Sequence, residues 1–120
     1  MRSATILIID DQESVSMMLK RALEDAGYQV AEAANGRQGL ERFRATPADL
    51  VITDLAMPEM NGLELILELT RAFLDVKVIV VSADAFDGLQ AAKLLGARQT
   101  FPKPFDLSAL LRAVDYELKH

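Results

Sequence analysis

Cysteine is missing from all 120 residues, which excludes disulfide staples and thiolate chemistry and fits a reducing compartment, so a cytoplasmic location is expected. Positive charge is also scarce. Lys and Arg number 13 against 18 Asp and Glu, a formal net charge of −5, and direct nucleic-acid binding needs the basic patch that this balance withholds. No apolar run approaches the roughly 20 residues of a spanning helix. Met1-Arg2-Ser3 leads directly into a strand pattern and not into a signal peptide, so no membrane role is expected. Linkers, repeats and low-complexity stretches are absent too. What remains is a globular composition, 51% hydrophobic and 26% charged, of a length that predicts one domain over 1–120.

Five short apolar runs alternate with longer helical patterns. The runs are Thr5 to Ile9, Gln29 to Ala33, Leu50 to Thr53, Val76 to Val81, and Thr100 to Phe101 with Gln99 at its margin. Three of them are nearly continuous in Ile, Leu and Val, as strands are when both faces of a parallel sheet are covered. The first helical pattern starts near Glu13, carries Val15, Met18, Leu19, Ala22 and Leu23, and meets Gly27 where a left-handed cap belongs. Asn35 caps a second with Leu40 and Phe43, ended by Thr46-Pro47. Gly62 to Ala72 predicts a third, with Leu63, Ile66 and Leu67 as its stripe, and Phe86 to Leu95 a fourth, closed by Gly96. Asp106 or Ser108 caps the last, which turns Leu110, Leu111, Val114 and Leu118 inward. The methionines Met17, Met18, Met57 and Met60 read as core and loop packing, and Glu13, Arg37, Glu41 and Arg42 as a solvated face. This βα alternation predicts an α/β fold, an open doubly wound parallel sheet of strand order 2-1-3-4-5 with right-handed crossovers.

Ligands of such sheets bind beyond the carboxyl ends of the strands, where strand order reverses. Strand one ends in Asp10-Asp11, strand three in Asp54 and strand four in Ser82, while strand five leads to Lys103. With strands one and three adjacent, the carboxylates converge and repel unless a cation joins them. Oxygen-only ligands select a hard ion, and an incomplete protein shell suits Mg²⁺, which keeps waters and binds phosphate oxygens as well. Lys103 adds an ammonium and Ser82 a hydroxyl, completing an anion-stabilising set around Asp54 as nucleophile for phosphoryl transfer. Taken singly, Asp10 and Asp11 also suit a helix N-terminus, Asp54 a turn, and Ser82 a strand end satisfied by backbone.

The segments ILIIDDQ, DLVITDLAMPEMNGLEL, VIVVSA and FPKPFD, in that order and spacing, resemble the receiver domain of two-component response regulators, from Thr5 to about Lys119. The resemblance implies a flavodoxin-like fold and a phosphorylation switch. It implies that Asp54 takes a phosphoryl group from a histidine kinase, a phosphotransfer protein or a small phosphodonor, with slow self-dephosphorylation and no classical enzyme activity. It further implies that Asp11 and Asp54 ligate Mg²⁺ directly, that Asp10 acts mostly through water, and that the Ala56 carbonyl completes the protein's ligands. Ser82 would swing towards the phosphoryl group, Lys103 would pair with it, and Lys103-Pro104 would be cis. Met57-Pro58 and Gly62 would shape the loop after Asp54. The responding face would be the fourth helix, fifth strand and fifth helix, read by a downstream protein, a fused output domain or a second copy of the chain. The chain would be a stand-alone regulator or the receiver of a longer protein.

The pattern departs at Thr100, where the family carries Tyr or Phe, and Phe101 points to the opposite face of its strand. Ala56 and Asp84 occupy the variable positions flanking the site. The missing aromatic is the one feature favouring an alternative, a non-switching docking module on the same fold. A flavin or nucleotide enzyme would need a glycine- and hydroxyl-rich loop after strand one. A haloacid-dehalogenase-like phosphatase would need its nucleophilic Asp at the first strand and a second acid two residues later, and Gln12-Glu13 does not reproduce that after Asp10, where Gln12 takes the place of the acid.

Overall fold

The computed structural model describes residues 3–57, 60–83 and 87–120. Ten elements alternate along the chain: β1 (Thr5–Ile9), α1 (Glu13–Asp25), β2 (Gln29–Ala33), α2 (Gly36–Ala45), β3 (Leu50–Thr53), α3 (Gly62–Ala72), β4 (Val78–Ser82), α4 (Asp87–Leu94), β5 (Gln99–Pro102) and α5 (Leu107–Lys119). The strands form one parallel sheet of order β2-β1-β3-β4-β5, the topology expected from the alternation.

Strand alternation divides the interior into two layers. Leu7, Ile9, Val51, Val78 and Val80 face one side, where they pack with Leu40 and Phe43 of α2 and Leu65, Ile66 and Leu69 of α3. Ile6, Ile8, Leu50, Ile52, Ile79 and Val81 face the other, against Leu19 and Leu23 of α1 and Leu110 and Val114 of α5. Both faces of the central strands are therefore dry, which is why β1, β3 and β4 read as continuous aliphatic runs. Among the described residues no helix is long and apolar enough to cross a membrane.

The helix ends follow local chemistry. Asn35 accepts from Gln38 N at 2.8 Å, Asn61 from Glu64 N at 3.0 Å, and Asp106, not Ser108, caps α5 by accepting from Ser108 N at 2.9 Å. Gly27 and Gly96 close α1 and α4 at φ of +99° and +118°, a region that side chains disfavour.

Several expectations shift. β4 begins at Val78 and not Val76, because Val76 N turns back to Phe73 O at 3.2 Å, and it runs on to Ser82. β5 extends one residue further than expected, to Pro102 on the edge strand, where a missing N–H leaves the sheet intact. The buried line of α3 is Gly62, Leu65, Ile66 and Leu69, with Leu63 and Leu67 on its shoulders. Met18 and Met17 are 43% and 56% exposed, since α1 turns Val15, Leu19 and Leu23 to the sheet, whereas Met57 and Met60 do pack on the core. Pro58, Asp84 and Phe86, like Met1 and Arg2, lie outside the described residues.

Candidate functional site

Parallel pairing of β1 with β3 sets Ile9 opposite Thr53, so the next residues on each strand emerge side by side at the carboxyl edge. Asp54 N donates to Ile9 O at 3.0 Å and Asp10 N to Ala33 O at 3.1 Å, so both acids begin on continued sheet geometry. Asp10 is 4% exposed and Asp54 5%, while Asp11 faces solvent. One oxygen from each of Asp10, Asp11 and Asp54 lies within 4.8 Å of the others.

The charges are balanced from the far end of the sheet. Lys103 Nζ reaches Asp54 Oδ2 at 3.0 Å, Asp10 Oδ2 at 3.1 Å and Gln12 Oε1 at 2.9 Å. The second oxygen of each acid is held by backbone. Asp54 Oδ1 accepts from Leu55 N at 2.6 Å and Ala56 N at 3.3 Å, and Asp10 Oδ1 from Gln12 N at 2.8 Å. Lys103 N donates to Ser82 O at 2.9 Å, which joins the β5–α5 loop to the end of β4. Ser82 is fully buried, and its carbonyl ties the end of β4 to the backbone of Lys103. The Lys103–Pro104 bond is cis, as expected.

Burial raises the Asp10 carboxyl above its ordinary range, against the opposing pull of the Gln12 N–H and the Lys103 ammonium. Burial alone would lower Lys103, but its hydrogen bonds to Asp54 and Asp10 outweigh that and hold it above the usual lysine value.

Oxygen-only donors of this kind fit a hard divalent cation. Octahedral coordination at about 2.1 Å places ligand oxygens roughly 3–4 Å apart, a spacing compatible with three acid oxygens that lie within 4.8 Å of one another. The loop leading away is pinned by Gly62. A Cβ there would meet Asp54 O at 2.4 Å and Leu55 Cα at 2.6 Å, so the start of α3 lies directly against the acid's own backbone.

Thr100 pairs with Val80 and Phe101 with Val81. Val80 belongs to the α2–α3 layer and Val81 to the α1–α5 layer, where Phe101 packs too. Phe101 therefore does not take the place of an aromatic at Thr100, as the alternation required. Sequence reasoning missed Gln12 as part of this cluster. The available signal was a polar side chain directly after Asp10-Asp11, but its partner Lys103 is 91 positions away in the chain.

The sequence profile of the response regulator receiver domain matches residues 6–115, and the chain belongs to that family. It is 39% identical over 113 residues to the chemotaxis protein CheY of Thermotoga maritima, covering 92% of this chain and 93% of that one. It is 36% identical to sporulation initiation phosphotransferase F of Bacillus subtilis, covering 95% of this chain and 93% of the relative. Among solved structures, a response regulator from Chloroflexus aurantiacus superposes with a TM-score of 0.93 at 28% identity, covering 99% of this chain and 100% of that chain. The response regulator TrrA of Thermotoga maritima, solved with Mg²⁺ and BeF, superposes with a TM-score of 0.86 at 29% identity, covering 95% and 98%.

Proposed function

We propose that the chain is a phosphorylation-dependent signalling switch with Asp54 as phosphoacceptor. The observation that carries this reading is the Lys103 ammonium bridging Asp54 and Asp10 beside a trio of acids close enough for one cation. Asp10, Asp11, Asp54 and the Ala56 carbonyl would hold Mg²⁺, which when bound would neutralise the acids and polarise phosphoryl oxygens. Asp54 Oδ1 is fixed by two backbone amides, so Oδ2, lying against Lys103, is the attacking oxygen. As the new O–P bond forms, the P–N bond to the donor imidazole of a histidine kinase or phosphotransfer protein breaks, or the P–O bond of a small phosphodonor. Lys103 then pairs with the transferred group, which carries about two negative charges. Ser82, buried at the end of β4 and joined by backbone to Lys103, moves its hydroxyl towards that group. The shift biases a pre-existing equilibrium of the α4–β5–α5 face, which a downstream protein, a fused output domain or a second copy reads.

The family relationship and the Mg²⁺–BeF neighbour support this reading. One observation favours the docking-module alternative: Thr100 places no ring on the α4 side of β5. Incubation with Mg²⁺ and acetyl phosphate separates the two. The native chain is expected to gain acid-stable, hydroxylamine-sensitive phosphate and Asp54→Asn none; identical behaviour of the two would reject the phosphoacceptor role.

A further inference from the structure

Lys103 carries three N–H donors, and each has an oxygen: Asp54 Oδ2 at 3.0 Å, Asp10 Oδ2 at 3.1 Å and Gln12 Oε1 at 2.9 Å. The Gln12 contact is the shortest and comes from an uncharged group. Gln12 also donates its backbone N–H to Asp10 Oδ1 at 2.8 Å. A single residue thus holds an anion of the site with its main chain and the cation with its side chain. Helix capping does not account for it. Gln12 is the N-cap of α1, with extended backbone at φ −89° and ψ 103°, yet its side chain makes no capping bond and spans to the β5–α5 loop instead.

We propose that Gln12 is a positioning residue, one that keeps the Lys103 ammonium aimed into the acidic pocket both before and after the phosphoryl group arrives. The inference rests on the phosphoacceptor reading and deepens it. When a phosphoryl oxygen replaces Asp54 Oδ2 as acceptor, one N–H of Lys103 changes partner while the other two stay on Asp10 and Gln12. A lysine stem is flexible, so two retained contacts spare it a search through its rotamers. The same grip acts against a metal ion binding alone. A divalent cation drawing on Asp10 and Asp54 competes with the ammonium for those oxygens, and Gln12 anchors the competitor. Gln12 therefore favours the bound anion and disfavours the bare metal, two effects of opposite sign.

Gln12→Met keeps the chain length and removes the oxygen, and Gln12→Glu restores an oxygen. Mg²⁺ affinity by calorimetry, beryllofluoride affinity at saturating Mg²⁺, and hydrogen exchange at Lys103 ¹⁵Nζ in metal-free protein by NMR provide the readouts. Loss of one solvent-exposed hydrogen bond of ordinary net strength corresponds to roughly a twofold to tenfold effect. Gln12→Met is expected to weaken beryllofluoride binding by about that factor, to tighten Mg²⁺ binding, and to speed exchange at Lys103, with slow exchange recovered in Gln12→Glu. A role confined to folding of the α1 N-terminus would weaken both affinities together. That result, or affinities and exchange that do not move, overturns the proposal while native beryllofluoride binding persists. Failure of the native chain itself to bind beryllofluoride sinks the phosphoacceptor reading instead.

Discussion

Asp10 shows what the site takes from the fold that carries it. Its carboxyl is nearly inaccessible and is held in a raised range by burial, despite the ammonium and the amide that face it. A raised acid favours the protonated form in the folded state, so ionised Asp10 weighs against stability near neutrality. That burden lifts as the pH falls through the folded-state value and is gone below the unfolded value near 3.8. Asp10→Asn is therefore expected to raise the metal-free melting temperature at neutral pH by a few degrees. The gap from the native chain should narrow towards pH 4, while Mg²⁺ affinity drops. A variant that melts lower at pH 7 would show that the Lys103 contact outweighs the burial. Gly62 makes the complementary case of steric fit. Gly62→Ala forces backbone atoms of Asp54 and Leu55 apart and is expected to cost about 2 kcal/mol or more in denaturant titration.

At the scale of elements, α5 is latched to the end of the sheet opposite the acidic cluster. Glu117 is 5% exposed; its Oε2 accepts from Gln99 Nε2 at 2.9 Å, its Oε1 lies 3.7 Å from Arg98, and its carbonyl accepts from Lys77 Nζ. Donors from the start of β5 and the approach to β4 thus converge on a single turn of α5. Removing the carboxylate leaves the Gln99 amide without its acceptor, and because Arg98 is part-exposed the ion pair itself adds little. Glu117→Ala is expected to lower stability by about 1–3 kcal/mol, read as a shift in the urea midpoint at unchanged slope. Little of this latch was legible in the chain. Residue 117 sits at an inward position of the α5 stripe, but a Glu there reads as solvated until its donors, 18 and more positions away, are placed beside it. By contrast, the bounds of β1, β2, β3 and α3 were all legible, because short strand-like runs and an apolar stripe at helical spacing are local signals. Val76 was misassigned for the same reason: it continues the aliphatic run of β4, and only the turn to Phe73 removes it from the strand.

Across the whole molecule, ligand binding and folding are linked. An ion that binds the folded chain alone stabilises it by about 2.7 kcal/mol at a hundredfold excess over its Kd. For a domain of this size that is a rise in melting temperature of roughly 10 °C. Added Mg²⁺ is expected to give such a rise, EDTA to reverse it, and Asp11→Asn to blunt it, as followed by circular dichroism. An equal rise in Asp11→Asn would mean that the ion acts elsewhere.

Residue order alone carries the alternating βα architecture, the dry central strands and the identity of the acids and the lysine. Each of these follows from periodicity or from residue type at a strand end, and both are local properties. It takes the folded arrangement to bring Lys103 Nζ within 3.1 Å of both Asp10 and Asp54 oxygens, to give Gln12 a share of the ammonium, and to bury Glu117. Such contacts join residues up to 93 positions apart, and strand order and register bring them together where no stretch of chain records the meeting.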